Sequence, residues 1–332
     1  MGRLNFIVEV SKEQLIQLLN NYEVGSIEQC ILLSNGIINS NYKVVTSEGN
    51  FLLRIYTKDR DFEGIQFEVS TLNRLCDCQF KAQKPVKNSK NKTIGSFQGH
   101  YFVLLTFIEG EVLDLENTTQ SLCYEVGQNL ARMQNLLDGF RPEGQKPQAD
   151  FDFIDELNVD TYKKLNALGN PGVHEFERIR DDWEALREQF ENPGLAEGFV
   201  HADIYCENTI IENGSLKAFI DFDDSYFGVM LYDLSLVLME YSILEEGNMN
   251  FEFVGAIIKG YTENRSISEV EAGLLFDSMR VLCFKYLSYT SGLKEFSFEA
   301  LLDNPYLLRL AYFRRDDIRQ HFDEAVHRCM TG

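Results

Sequence analysis

Residues 199–224, FVHADIYCENTIIENGSLKAFIDFDD, leave this chain few ways to fold. An apolar pair, Ile210-Ile211, meets the turn Glu212-Asn213-Gly214. A second apolar run then leads into Ile220-Asp221-Phe222-Asp223. Two short apolar runs around Asn-Gly predict a tight β-hairpin. Asp203 and Asn208 stand at its entry and Asp221 at its exit, so the hairpin brings the second carboxylate back beside the first.

Two carboxylates and a carboxamide converging on one cleft suit phosphoryl transfer. The transferred group is strongly anionic and its transition state is loose, so catalysis consists of positioning and charge neutralisation. Asn208 offers an amide oxygen and Asp221 a carboxylate to Mg2+, which takes hard oxygen ligands and often only one or two from protein. Asp203 is placed to accept a hydrogen bond from an attacking hydroxyl, orient it and take its proton late. A polar loop with capping residues would explain His201-x-Asp203-x4-Asn208 taken alone. It does not explain the downstream Asp-Phe-Asp together with Tyr232-Asp233-Leu234 and a strand-rich first third.

Along the chain, SKEQLIQLLNNY puts Leu15, Leu18 and Leu19 on one helical face with Ser11 as N-cap. NYKVVT and NFLLRIYT follow as strands joined by Ser47-Glu48-Gly49-Asn50, then a helix from about Gln66 to Leu75, then a strand pair ending in HYFVLLTFI. Beyond Glu109-Gly110 helical periodicity dominates: about 119–138, 175–190 and most of 230–332. The expectation is α+β, with a β-rich lobe over residues 1–108, a mainly helical lobe over 109–332 and a hinge near Thr106–Ile108.

Composition narrows the partners. With 31 Lys+Arg against 52 Asp+Glu the net charge is −21, which disfavours nucleic acid and anionic membrane because phosphate contacts need clustered cations. No apolar run approaches the roughly 20 residues that span a bilayer, and the N-terminus lacks a signal-peptide core, so a cytoplasmic protein is expected. Seven irregularly spaced cysteines argue against a disulfide framework, and Cys76 and Cys78 read as reduced thiols at a helix end. The sequence carries no signal for oligomeric state.

The pattern H-x-D-x4-N followed by a D-F dipeptide resembles the catalytic and metal loops of protein kinases. As His-Ala-Asp, Ile-Asp-Phe-Asp and Tyr-Asp-Leu-Ser it is more similar to the aminoglycoside phosphotransferase and choline kinase superfamily, whose members show H-G-D, I-D-W or I-D-F and a Y-D-L-A-like helix start. The resemblance implies a bilobal protein-kinase-like fold, ATP and Mg2+ as cofactors, and a hydroxyl on a small molecule as acceptor. It also implies that His201 braces the loop rather than moving protons. Asp223 would assist metal or substrate, while Asp224 and Asp233 would hold loops or cap a helix.

In the first lobe, Ser34–Tyr42 sits where a kinase has its glycine-rich loop, with one glycine, Gly36, followed by Asn39 and Ser40; an ordinary hairpin turn would look the same. Arg54 occupies the place of the strand lysine that touches the phosphates. Lys43 is the alternative, Glu68 the ion-pair partner, and a surface ion pair the competing explanation. YFVLLTFIEG resembles the hinge that receives adenine through backbone groups, with Thr106 and Ile108 as contacts; core packing accounts equally well for its apolar residues.

Within the superfamily, the chain is most similar to bacterial homoserine kinases of the protein-kinase-like type. The match rests on the V-S-x-E-x-L opening, the N-S-N-Y loop and EVGQNLARMQ, where Gln134 replaces an expected histidine. It covers residues 1 to about 140 and 199–235 and is weak elsewhere. Homoserine or a related amino alcohol is therefore the expected acceptor, and choline, methylthioribose or an aminoglycoside the alternatives. Asp150, Asp152, Asp155, Glu156 and Asp160 offer either a site for an amine or a solvated face. Protein phosphorylation fits less well, since about eleven residues separate Asp221 from Tyr232 and no A-P-E-like segment intervenes. The presence of all three polar residues argues against a non-catalytic nucleotide-binding pseudokinase.

Overall fold

The computed structural model describes residues 7–33, 39–57, 60–144, 163, 173–190, 194–244, 247–291 and 304–330. Gly36 and the acidic run from Asp150 to Asp160 lie outside them. Ser11 opens α1 (Lys12–Leu19) through a capping box: its hydroxyl accepts the Gln14 N–H while the Gln14 side chain accepts the Ser11 N–H. The strands β1 (Ile27–Leu32), β2 (Ser40–Thr46), β3 (Gly49–Ile55), β4 (Ile94–Phe97) and β5 (His100–Thr106) form one antiparallel sheet in the order β1-β2-β3-β5-β4. Between β3 and β4 runs α2 (Phe62–Asp77). It begins a turn earlier than its apolar periodicity suggests because the Asp61 carboxylate caps it, accepting the Gly64 N–H at 2.7 Å.

Strand alternation decides what faces the cleft. Leu53 and Ile55 join Leu15 and Leu19 of α1 in one core, whereas Leu52 and Tyr56 join Ile65 and Leu72 of α2 in another. With a side-chain period of two, Arg54 is carried to the α2 side beside Tyr56.

The second lobe begins with β6 (Glu111–Val112), which pairs with β8 (Thr209–Glu212), itself paired with β9 (Ser215–Phe219). A separate pair joins β7 (Glu197–Val200) to β10 (Tyr226–Val229). Its described helices are α3 (Gln120–Leu136), α4 (Val173–Phe190), α5 (Leu231–Ser242), α6 (Phe251–Thr262), α7 (Glu269–Ser291), α8 (Pro305–Phe313) and α9 (Asp316–Met330). In α5, Leu231–Met239 are buried in an unbroken run, as expected of a helix apolar on nearly every side, and it packs against α7. Helices α3 and α6 approach through two glycines. A methyl at Gly127 would strike the Ile257 carbonyl, and one at Gly260 the Tyr124 carbonyl. The glycine of EVGQNLARMQ is thus a packing residue. Gln134 is another: it accepts from the Tyr261 hydroxyl at 2.6 Å and donates to the Met230 carbonyl. All seven cysteines are free thiols. No helix among the described residues is long and apolar enough to cross a membrane.

Candidate active site

The hairpin does what its sequence suggests. Asn213 and Gly214 both have positive φ, 53° and 79°, as a two-residue type I′ turn requires. Pairing of Thr209 with Phe219 continues one step further, with Ile220 N–H donating to the Asn208 carbonyl at 2.9 Å. That bond sets Asn208 beside Asp221. On the other side the Asn208 amide donates to the Asp203 carboxylate at 2.6 Å and to the Asp203 carbonyl at 2.9 Å. Asp203, Asn208 and Asp221 therefore stand together.

Two residues of these loops take left-handed backbone: Ala202, with φ 69°, and Asp221, with φ 68°. A β-carbon there costs energy that the surroundings must offset. For Ala202 the offset is visible. The buried Asp233 carboxylate accepts the His201 N–H at 2.7 Å on one oxygen and the Ala202 N–H at 2.8 Å on the other. Asp233 is thus the clamp of the loop that carries Asp203. His201 is fully buried with its ring 4.3 Å from that of Phe222, and burial pushes its pKa down to about 4, leaving it neutral. A neutral ring packed on Phe222 braces one loop against the other.

The two lobes are joined by charge. Arg54, only 2% exposed, pairs with Glu68 of α2 at 2.9 Å and with Asp221 at 2.9 Å, and its Nε donates to Asn41 at 3.1 Å. Tyr56 completes the set by donating to Glu68 at 2.7 Å. Burial would lower the Arg54 pKa, but the Asp221 and Glu68 carboxylates outweigh it and hold the guanidinium charged. Asn39 donates to Asp223 at 2.5 Å, and Arg60 bridges Asp223 at 2.9 Å and Asp224 at 2.7 Å. Lys43, the alternative to Arg54, stands instead at the hinge, paired with Glu109 at 3.0 Å and over the Phe107 ring at 4.1 Å.

This geometry has known counterparts. Residues 29–265 match the model of APH, the phosphotransferase enzyme family. The chain belongs to the APH family. Homoserine kinase of Sinorhizobium medicae is 26% identical over 270 residues, spanning 80% of this chain and 79% of the relative. Homoserine kinase of Brucella melitensis biotype 2 is 26% identical over 286 residues, spanning 84% and 83%. Among solved structures, a microcompartment-associated aminopropanol kinase superposes with a TM-score of 0.70 at 16% identity, covering 96% of this chain and all of that one. Spectinomycin phosphotransferase APH(9)-Ia, in complex with ADP and spectinomycin, superposes with a TM-score of 0.65 at 16% identity, covering 91% and 98%. The chain is a small-molecule kinase acting on hydroxyl groups, with the bilobal α+β fold of its family.

Within this APH-family frame Asp203 lies in an acidic, buried setting. Burial, then the charges of Asp221, Asp224 and Asp223, push its carboxyl up to about 8 against the opposing Asn208 hydrogen bond. Among the described residues no group of three or more His, Cys, Asp or Glu is arranged to hold a metal. The candidate donors are the Asn208 amide oxygen, left over once its nitrogen serves Asp203, and the Asp221 carboxylate, whose side chain is 29% exposed. One amide and one carboxylate oxygen fit Mg2+ bound jointly by protein, phosphates and water.

The remaining sequence candidates divide. The Thr106 N–H is spent on the Lys84 carbonyl at 2.9 Å and its hydroxyl accepts the Lys84 N–H at 2.9 Å, whereas the half-buried Ile108 N–H has no partner among the described residues. The buried Ser40 hydroxyl accepts the Val8 N–H at 2.8 Å and so secures the N-terminal segment. Asn41 belongs to the N-S-N-Y loop without a role of its own there, and Tyr56 and Arg60 lie outside every motif of the sequence. The period-two alternation that places Tyr56 beside Arg54 could have flagged it; nothing local marks Arg60.

Proposed function

We propose that this phosphotransferase moves the γ-phosphoryl group of ATP, with Mg2+, onto the hydroxyl of a small amino alcohol, homoserine being the leading acceptor. The observation that carries the reading is the joined set Asp203–Asn208–Asp221, one carboxylate of which is locked to Arg54 and through it to Glu68. Homoserine is favoured by the relatives at 26% identity over about four-fifths of both chains.

In this reading residues 1–108 form the nucleotide lobe and 109–332 the lobe of the catalytic loops and acceptor. Ile108 offers its unspent N–H to the base, with Thr106 shaping the hinge behind it. Asn39 and Ser40, with Gly36 by its place in the sequence, would belong to the segment over the phosphates, and Arg54, its nitrogens held by Glu68, Asp221 and Asn41, would lend them its buried positive charge. Asn208 and Asp221 would hold Mg2+, which supplies charge neutralisation on the phosphates when bound. Asp203, ionised once Mg2+ offsets the neighbouring aspartate charges that help to raise its carboxyl, would accept the acceptor's O–H, orient its oxygen and take the proton as the bond to phosphorus forms. His201, Asp223 and Asp233 position these groups. The same reading puts the enzyme in the cytoplasm, with the ATP it would consume.

A carboxylate-free amino alcohol is the second reading, favoured by the structural likeness to an aminopropanol kinase. An ADP-release screen with homoserine, choline, methylthioribose, hydroxylysine and several aminoglycosides tests both. Turnover with homoserine is expected; a hit among the aminoglycosides with none for homoserine overturns the acceptor. ATP–Mg2+ binding without turnover on a broad panel would favour a non-catalytic role, and efficient labelling of generic proteins a protein kinase.

A further inference from the structure

One cation near the catalytic loop has no part in the scheme above. Lys285 lies on α7 directly before Tyr286, whose hydroxyl donates to the Ala202 carbonyl, next to Asp203, at 3.4 Å. Its side chain is half-buried, with the ammonium 5.8 Å from the Tyr226 ring centre and 5.7 Å from that of Tyr286. Among the described residues that ammonium makes neither an ion pair nor a hydrogen bond.

The carboxylates that influence Lys285 are occupied elsewhere. Asp224 is paired to Arg60, Asp233 is filled by two backbone N–H groups, and Asp203 accepts from Asn208. Burial pulls the lysine below its ordinary pKa, and Asp224, Asp233 and Asp203 oppose the shift from beyond contact distance. A desolvated ammonium left among ring faces is costly unless something brings it an anion. The surroundings are stiff: Tyr205 of the catalytic loop meets Tyr286 edge-on at 5.9 Å, and Tyr286 stacks on Tyr306 of α8 at 4.9 Å.

We propose that Lys285 is a specificity residue of the acceptor site, binding the carboxylate of an amino-acid-like alcohol whose hydroxyl lies at Asp203. The inference rests on the assignment of Asp203 as the group that receives the acceptor hydroxyl. It adds what that assignment leaves open, namely a reason to prefer acceptors bearing a carboxylate. A short chain with a hydroxyl at one end and a carboxylate at the other suits two such anchors, and a polycationic acceptor would be repelled by the second.

The test compares L-homoserine with 3-amino-1-propanol, the same chain without its carboxylate, on the full-length wild-type, Lys285→Met and Lys285→Arg proteins. Wild type should favour homoserine. Lys285→Met should raise the homoserine KM about 10- to 100-fold, the usual weight of one charge-assisted hydrogen bond, with kcat within a few-fold. Its effect on the aminopropanol KM should be at least about tenfold smaller, and Lys285→Arg should recover most of the homoserine loss. Equal effects on both acceptors, or a fall in kcat alone, would overturn the proposal and leave Lys285 as a counter-charge to the aspartates. A wild-type kcat/KM no higher for homoserine than for aminopropanol overturns it too, even if Lys285→Met fails to fold, while the kinase reading stands. If neither alcohol is phosphorylated the acceptor reading fails, and calorimetric titration of L-homoserine decides separately. Binding to wild type that is lost in Lys285→Met supports the carboxylate site; equal or absent binding sinks it.

Discussion

The two sides of the catalytic cleft partner their charges in opposite ways. On the proposed nucleotide side, Arg54 lies between Glu68 and Asp221, Tyr56 closes on Glu68, and Arg60 spans Asp223 and Asp224. On the proposed acceptor side, Lys285 lies among tyrosine rings with no anion in contact among the described residues. A network of paired charges holds its geometry before any ligand arrives, so little reorganisation remains for the reaction. An unsaturated cation does the reverse: it stays costly until the right ligand supplies its partner, and so it selects. The contrast places rigidity on the proposed nucleotide side and selectivity on the proposed acceptor side.

The sharpest way to break this contrast is through the group between the two sides. Asp203→Asn should lower kcat by about 10²- to 10⁴-fold, the usual contribution of a general base, while nucleotide affinity changes less than about twofold. Single-turnover kinetics beside nucleotide titration would check it; parallel losses in both would place Asp203 in nucleotide binding instead. Next is the side of paired charges. Arg54→Met strands Glu68 and Asp221 without their cation and should cost about 3–5 kcal/mol in urea unfolding, part of which Glu68→Gln on the same chain should recover. A cost below about 1 kcal/mol would mean that the network does not hold the lobes.

A smaller effect concerns the brace. His201 has a folded pKa of about 4 against the ordinary 6.5, so below pH 6.5 the unfolded chain binds a proton that the folded chain refuses. Its contribution is therefore complete above about pH 6.5 and is lost as pH falls to about 4, roughly 3 kcal/mol in all. Asp233, pushed up to about 7 by burial, works in the opposite direction, so the histidine effect is read as the difference between His201→Leu and wild type. The variant should lose less stability than wild type on acidification, and identical pH curves would show that the imidazole is not held neutral. Smallest is Ala202→Gly. It relieves left-handed strain at φ 69° but adds chain entropy to the unfolded state, for a net gain of about 0.5 kcal/mol or less. A loss above about 1 kcal/mol would show that the methyl packs rather than strains.

How much of this was legible in the sequence follows the range of the interactions. The capping box at Ser11 spans three residues and the catalytic hairpin under twenty, and both formed as their patterns indicate. Ser40 and Thr106 show the limit of local reading: each occupies an expected position, yet its hydroxyl is taken up by Val8 or Lys84. The bonds of Arg60 to Asp223 and of Asn39 to that same carboxylate join residues more than 160 positions apart, and no local pattern records them.

By itself, then, the sequence determined which polar residues come together. Asp203 and Asn208 stand at the entry of one short hairpin and Asp221 at its exit, so the pairing of a short stretch of chain brings the second carboxylate back towards the first. The tertiary structure decided which cations are spent and which is spare. Arg54, Arg60, Lys43 and Lys285 are alike as basic residues in a string of letters. Only packing buries Arg54 between two carboxylates, draws Lys43 away to Glu109, and leaves Lys285 facing rings. The worth of a charge depends on what surrounds it at a few ångströms, and that distance is set by elements far apart in the chain.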